Sequence, residues 1–175
     1  MIHHFLGKKT LLLLCSITFS AKGFLKYPSF YDNGDKKVRL FLSTSCHHCN
    51  EALEKLIKII NQKGKFNAKI YFFSNDDTET LQLCKFFLAA RSDLNLVKEL
   101  MKMCMKYNFK TIKTFAENHP TIKSELEKSK VEIDLWLKTS KKSFDNNKVE
   151  RTPTWIINEK RIEGIPDNIE KTLKE

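Results

Sequence analysis

No stretch of this 175-residue chain is rich in Gly, Pro or Ser, and with 5 glycines and 4 prolines in all, nothing marks a flexible linker between two domains. No internal repeat is visible. The longest apolar stretch, Leu11 to Phe19, is shorter than the roughly 20 residues that a membrane-spanning helix needs. A single Cys-x-x-Cys is present, Cys46-His47-His48-Cys49, so the paired knuckles of a zinc module are missing. Asn50 stands where haem attachment would require a histidine, which excludes a c-type haem.

What is present begins with a leader. Met1 to Lys9 is basic at its end, Leu11 to Phe19 is apolar, and Ser20-Ala21 are small, the order of a secretory signal. The cut is expected near Ala21, although Phe19 is a poor residue at the third position before that cut; left uncut, the segment could tether the protein to a membrane. Leu14 before Cys15 is too large for a lipoprotein site. Removing residues 1–21 leaves about 154, enough for one domain with a real core. The net charge of +10 falls to +8 with Lys8 and Lys9 gone. The remaining lysines are scattered and often lie beside acids, as in Glu125-Leu126-Glu127-Lys128, which reads as a solvated surface rather than a nucleic-acid interface. Four cysteines remain, an even count, in a protein bound for a compartment where disulfides persist.

Residues 22–36 read as a loop or short edge segment, with Pro28 and Asn33-Gly34 as turn signals. Residues 37–43 form a buried strand. Ala52, Leu53, Leu56, Ile57 and Ile60 then lie on one face of a helix that ends near Gly64, and a second strand follows at 68–73. This is a βαβ unit with parallel strands. From Asp76 to about Asn147 the pattern is helical. Asp77 caps a helix to about Ala90, Ser92 or Asp93 caps the next, Phe109, Ile112 and Phe115 mark a third, and Pro120 opens a fourth. The apolar cluster Val131-Ile133-Leu135-Trp136-Leu137 follows and is assigned to core packing. Strand character returns at 154–158 with a partner at 161–164. Asn158-Glu159-Lys160 lacks the usual Gly, so a two-residue turn would strain Glu159 and a longer turn is expected. Pro166 starts a last short helix. The fold class is an α/β sandwich carrying an all-helical insertion.

A cysteine just before a first helical turn meets unpaired backbone N–H groups and the positive end of the helix dipole, and both favour a thiolate. Cys46 has that place, and His47 and His48 add donors, with positive charge when protonated. Cys49, one turn in, is less exposed. Cys46 is therefore the expected nucleophile and leaving group, and Cys49 the resolving thiol. Whatever stabilises the thiolate stabilises the reduced form and makes the disulfide a stronger oxidant. A structural disulfide, or a zinc site built from Cys46, Cys49, Cys84 and Cys104, would use the same residues. In Arg151-Thr152-Pro153-Thr154-Trp155, proline at the head of a strand lacks the ladder donor and fits a strand start.

Taken together, Cys46-His47-His48-Cys49, the helical block after the second strand, and Thr152-Pro153-Thr154-Trp155-Ile156-Ile157-Asn158 resemble the DsbA-like class of exported thiol oxidoreductases of the thioredoxin fold. The resemblance covers roughly residues 37–174. It implies a thioredoxin-like domain from 37–75 and 148–175, an insertion at 76–147, and a cis Pro153 facing the disulfide. The Thr152 backbone would then pair with extended substrate. It also implies a periplasmic or otherwise exported enzyme without a cofactor or metal, with folding exported proteins as substrates and a membrane partner that reoxidises it. His47 departs from the proline common in the family, and Leu40 stands where many members carry a buried acid. An isomerase or reductase of the same fold is the alternative, kept open by Thr152, although the residues before the first strand are too few for the dimerisation domain of DsbC-like isomerases. A binding, chaperone or metal-carrying module with an idle Cys-x-x-Cys is the alternative from another class. The oligomeric state stays open. If the helices 77–90 and 93–105 pair antiparallel, Cys84 and Cys104 would face each other as a structural disulfide or as buried thiols.

Overall fold

The computed structural model describes residues 27–73 and 77–174. The expected signal at 1–21, with Cys15 and the cut near Ala21, lies outside the described residues. Strand β1 (Tyr31–Asp32) is the short edge segment, β2 (Lys36–Leu42) is followed by helix α1 (His47–Asn61), and β3 (Phe66–Phe72) returns parallel to β2. After five helices the chain adds β4 (Thr154–Ile157), antiparallel to β2, then β5 (Lys160–Glu163) and helix α7 (Ile169–Lys174). The sheet order is β1-β3-β2-β4-β5.

Register follows from the period of two. Val38, Leu40 and Leu42 pair with Ala68, Ile70 and Phe72, and Leu40 also lies opposite Trp155. All of these are buried. Such apolar rows are what a parallel sheet covered on both faces requires. On the other face Phe41 stacks on Tyr71, with ring centroids 4.9 Å apart, and meets Phe144 edge-on at 5.0 Å. Tyr27 stacks on Tyr71 in turn, and its hydroxyl donates to the Ile70 carbonyl at 2.7 Å.

The helices between β3 and β4 are α2 (Thr78–Ala89), α3 (Leu94–Lys106), α4 (Phe109–Asn118), α5 (Pro120–Lys128) and α6 (Lys130–Asn146), the last carrying the Phe144 that covers Phe41. Their starts follow capping chemistry: Asp77 accepts from the Thr80 N–H, Asp93 from those of Asn95 and Leu96, and Asn108 from that of Thr111. Pro120 sits in the first turn of α5, where its missing donor costs nothing.

Four expectations are corrected. The β4–β5 turn is tight: Ile157 pairs with Lys160, and Asn158 and Glu159 take the two left-handed positions at φ 45° and 70°. Asn tolerates that region, and the strained Glu159 is held by Arg39 at 2.7 Å. Helix α7 begins at Ile169, whose N–H bonds the Pro166 carbonyl in a turn ahead of it, so Pro166 precedes the helix rather than opening it. The cluster on α6 is divided by the 3.6-residue period, Ile133, Trp136 and Leu137 inside, Val131 and Leu135 exposed. Helix α2 packs mainly on α5 and α6, and α3 on α1 and α4, so an α2–α3 hairpin is not the main contact.

No described helix is long and apolar enough to cross a membrane.

Candidate active site

Strand β2 ends at Leu42, and the turn Ser43-Thr44-Ser45 delivers Cys46 to the N-cap of α1 with extended backbone, φ −104° and ψ 116°. The Cys49 N–H bonds the Cys46 carbonyl at 3.0 Å, so the two cysteines are joined through one tight turn. Cys46 is half-buried and Cys49 fully buried. Both are free thiols here.

Opposite Cys46 stands the head of β4. The Thr152–Pro153 peptide bond is cis, Pro153 is buried, and the Cys46 Sγ donates to the Thr152 carbonyl at 3.4 Å. The Pro153 carbonyl accepts from the Gly164 N–H at 2.8 Å, and the Gly164 carbonyl accepts from Trp155 Nε1 at 3.1 Å. Gly164 makes this clasp at φ 76°, a backbone region that a side chain would resist. Among the described residues no backbone carbonyl takes the Thr152 N–H.

Burial, reinforced by the neighbouring Cys46, pushes the Cys49 thiol up to about 12. Two donors act against it: the Ser43 N–H, 3.3 Å from Cys49 Sγ, and the Thr152 side-chain hydroxyl. Leu40 is fully buried in the sheet, and no carboxylate is among the groups acting on Cys49. The sequence pointed to the Thr152 backbone and missed its hydroxyl. Only the pairing of β4 with β2 brings it to Cys49.

His47 and His48 are both exposed on the first turn of α1. They share a partner that the sequence reading did not single out, Glu51, which lies four and three residues beyond them. Helical spacing alone could have flagged it.

Cys84 and Cys104, read as a structural disulfide or as buried thiols, are free thiols here like Cys46 and Cys49. Cys84 on α2 donates to the Phe73 carbonyl at 3.4 Å. Burial, then Cys104 and Asp77, pushes its thiol up to about 12, and burial does the same for Cys104. Cys104 lines a small cleft of about 290 Å³ with Ser43, Thr44, Ser45, Phe73 and Tyr107. Among the described residues no group of three or more His, Cys, Asp or Glu side chains is placed to hold a metal ion.

A half-exposed thiol at a helix start, a buried partner one turn on, and a cis-proline strand head across from them define a thioredoxin-fold dithiol protein. The chain belongs to the thioredoxin family whose model matches residues 32–175. None of the curated proteins compared with it matches. Among solved structures, it is similar to the thiol-disulfide exchange protein α-DsbA2 of Wolbachia pipientis, with TM-score 0.67 and 19% identity over 83% of this chain and 84% of that one. Reduced DsbA1 of Neisseria meningitidis matches with TM-score 0.62 and 16% identity, covering 80% of each chain. A periplasmic thioredoxin-like protein of Salmonella enterica serovar Typhimurium matches with TM-score 0.58 and 15% identity over 82% and 85%. At these identities the likeness establishes the thioredoxin-like fold.

Proposed function

We propose that this chain is an exported thiol-disulfide oxidoreductase that donates a Cys46–Cys49 disulfide to folding proteins. The observation that carries the reading is the placement of Cys46 Sγ at the Thr152 carbonyl, beside a Thr152 N–H that no described backbone carbonyl takes. An extended client segment can pair with that backbone as an added strand, main-chain bonds giving affinity without demanding a sequence.

The chemistry follows from the two environments. A client thiolate attacks Cys46 Sγ, the Cys46–Cys49 bond breaks, and Cys49 leaves with the bond's electron pair. The Ser43 N–H and the Thr152 hydroxyl stabilise that departing sulfur, which then takes up a proton because burial favours its neutral form. A second client thiolate attacks the client sulfur of the mixed disulfide and expels Cys46. The client has lost two electrons and the enzyme holds two thiols. A membrane redox partner would reoxidise it. Export is supported by the leader-like order of residues 1–21.

An isomerase or reductase would use the same site, and a metal carrier or chaperone would use the fold without the chemistry. The test is to mix the oxidised protein with a reduced, unfolded client and follow loss of client thiols. Cys46→Ser is expected to abolish it, while the Cys46 thiolate of Cys49→Ser, given the disulfide-bonded client instead, should attack that disulfide, release one client cysteine as a thiol and remain trapped as a mixed disulfide. Client oxidation that survives Cys46→Ser would overturn the proposal.

A further inference from the structure

The first turn of α1 carries no acid, yet the two exposed rings between the cysteines have an acidic partner one turn on. His47 and His48 lie four and three residues before Glu51, the two spacings at which helical side chains meet. The carboxylate is divided between them. Its Oε1 is 3.3 Å from His47 Nε2 and its Oε2 is 3.6 Å from His48 Nδ1, while the rings stand edge to face with centroids 6.0 Å apart. The other charged groups lining the cleft that holds His48 and Glu51 are Lys55, one turn on along α1, and Asp167, from the segment between β5 and α7.

We propose that Glu51 is a positioning residue of the redox site, a clasp through which both histidines act on Cys46. The clasp ties the two rings to one carboxylate on the turn that follows Cys46 and so fixes their orientation on α1. When a ring is protonated the carboxylate is its counter-ion, and a cationic ring is the form that stabilises a neighbouring thiolate. Glu51 by itself would have the opposite effect, since a bare carboxylate near Cys46 disfavours the thiolate. Its influence should therefore change sign with the histidines present or absent. The inference rests on the redox reading of the site and adds to it a residue that neither the Cys-x-x-Cys nor the cis-proline segment contains.

A double-mutant cycle separates these effects. The measurement is the equilibrium of the Cys46–Cys49 disulfide with two glutathione thiols, giving the dithiol and glutathione disulfide, at pH 6 where imidazole titrates. Glu51→Gln is made in the parent and in His47→Ala/His48→Ala, with circular dichroism melting of each variant to establish that it is folded. In the parent, E51Q is expected to shift the equilibrium about twofold toward the disulfide, the scale of an exposed helical ion pair. In the histidine-free background the shift should vanish or reverse. An equal shift in both backgrounds would reduce Glu51 to a surface charge, and no shift in the parent would remove the clasp; either result overturns the proposal. If the parent forms no Cys46–Cys49 disulfide with glutathione at all, it is the oxidoreductase reading that fails, whatever Glu51 does.

Discussion

Burial pushes the thiols of Cys49, Cys84 and Cys104 up, three of the four described cysteines. At pH 8 a thiol titrating at about 12 is ionised to only about one part in ten thousand. Cys49, Cys84 and Cys104 should therefore resist iodoacetamide in the folded, reduced protein. Cys46, half-exposed at the helix start, should be labelled first, and the others only on unfolding. Peptide mass spectrometry of a labelling time course checks this; rapid labelling of Cys49 would contradict the arrangement. The Thr152 hydroxyl permits a sharper substitution. Thr152→Val keeps the branched shape and removes a donor that holds the Cys49 thiol down, so the Cys49 value should rise further. Hydrogen bonds to charged groups contribute about 1.5 to 3 kcal/mol, so the step in which Cys49 leaves should slow by roughly tenfold or more, read as the rate of mixed-disulfide formation with a client thiol.

At the scale of elements, the β4–β5 hairpin stores strain that a single residue can release. Glu159 at φ 70° follows Asn158 at φ 45°, the backbone of a turn that prefers Asn-Gly. Glu159→Gly removes about 1 to 2 kcal/mol of left-handed strain and loses an exposed ion pair to Arg39 worth under about 1 kcal/mol. A gain of a few degrees in melting temperature is expected, and a lower melting temperature would show that Arg39 holds the turn. The sequence was misleading here because turn length depends on strand register, which the β2–β4 pairing fixes through Arg39 opposite Ile156. Helix starts, by contrast, were readable, because a cap is a local bond: Asp77, Asp93 and Pro120 each lie beside the turn they begin. The same locality made Cys46 at the head of α1 legible, and its absence hid the Thr152 hydroxyl, which reaches its target across more than a hundred residues of chain.

At the scale of the whole molecule, the redox state of one four-residue loop is linked to the stability of the fold by a thermodynamic cycle. If the folded environment favours the dithiol, oxidation must destabilise the fold by the same free energy. The dithiol structure shows what the folded state supplies: the bond from Cys46 to the Thr152 carbonyl, the Ser43 N–H to Cys49, and the helix start under Cys46. Each ties the site to a different element, so the preference belongs to the assembled sheet rather than to the loop. Against it stands the crosslink itself, but a loop this short constrains the unfolded chain by only about 2 kcal/mol. An oxidising enzyme should therefore be more stable reduced than oxidised, the reverse of a protein stapled by its disulfide. Paired guanidinium unfolding curves of the reduced and oxidised forms decide the matter, with about 1.4 kcal/mol of difference corresponding to 30 mV in potential. A higher midpoint for the reduced form supports disulfide donation. A higher midpoint for the oxidised form would make Cys46–Cys49 a staple or a reductant and reverse the direction proposed for the electrons.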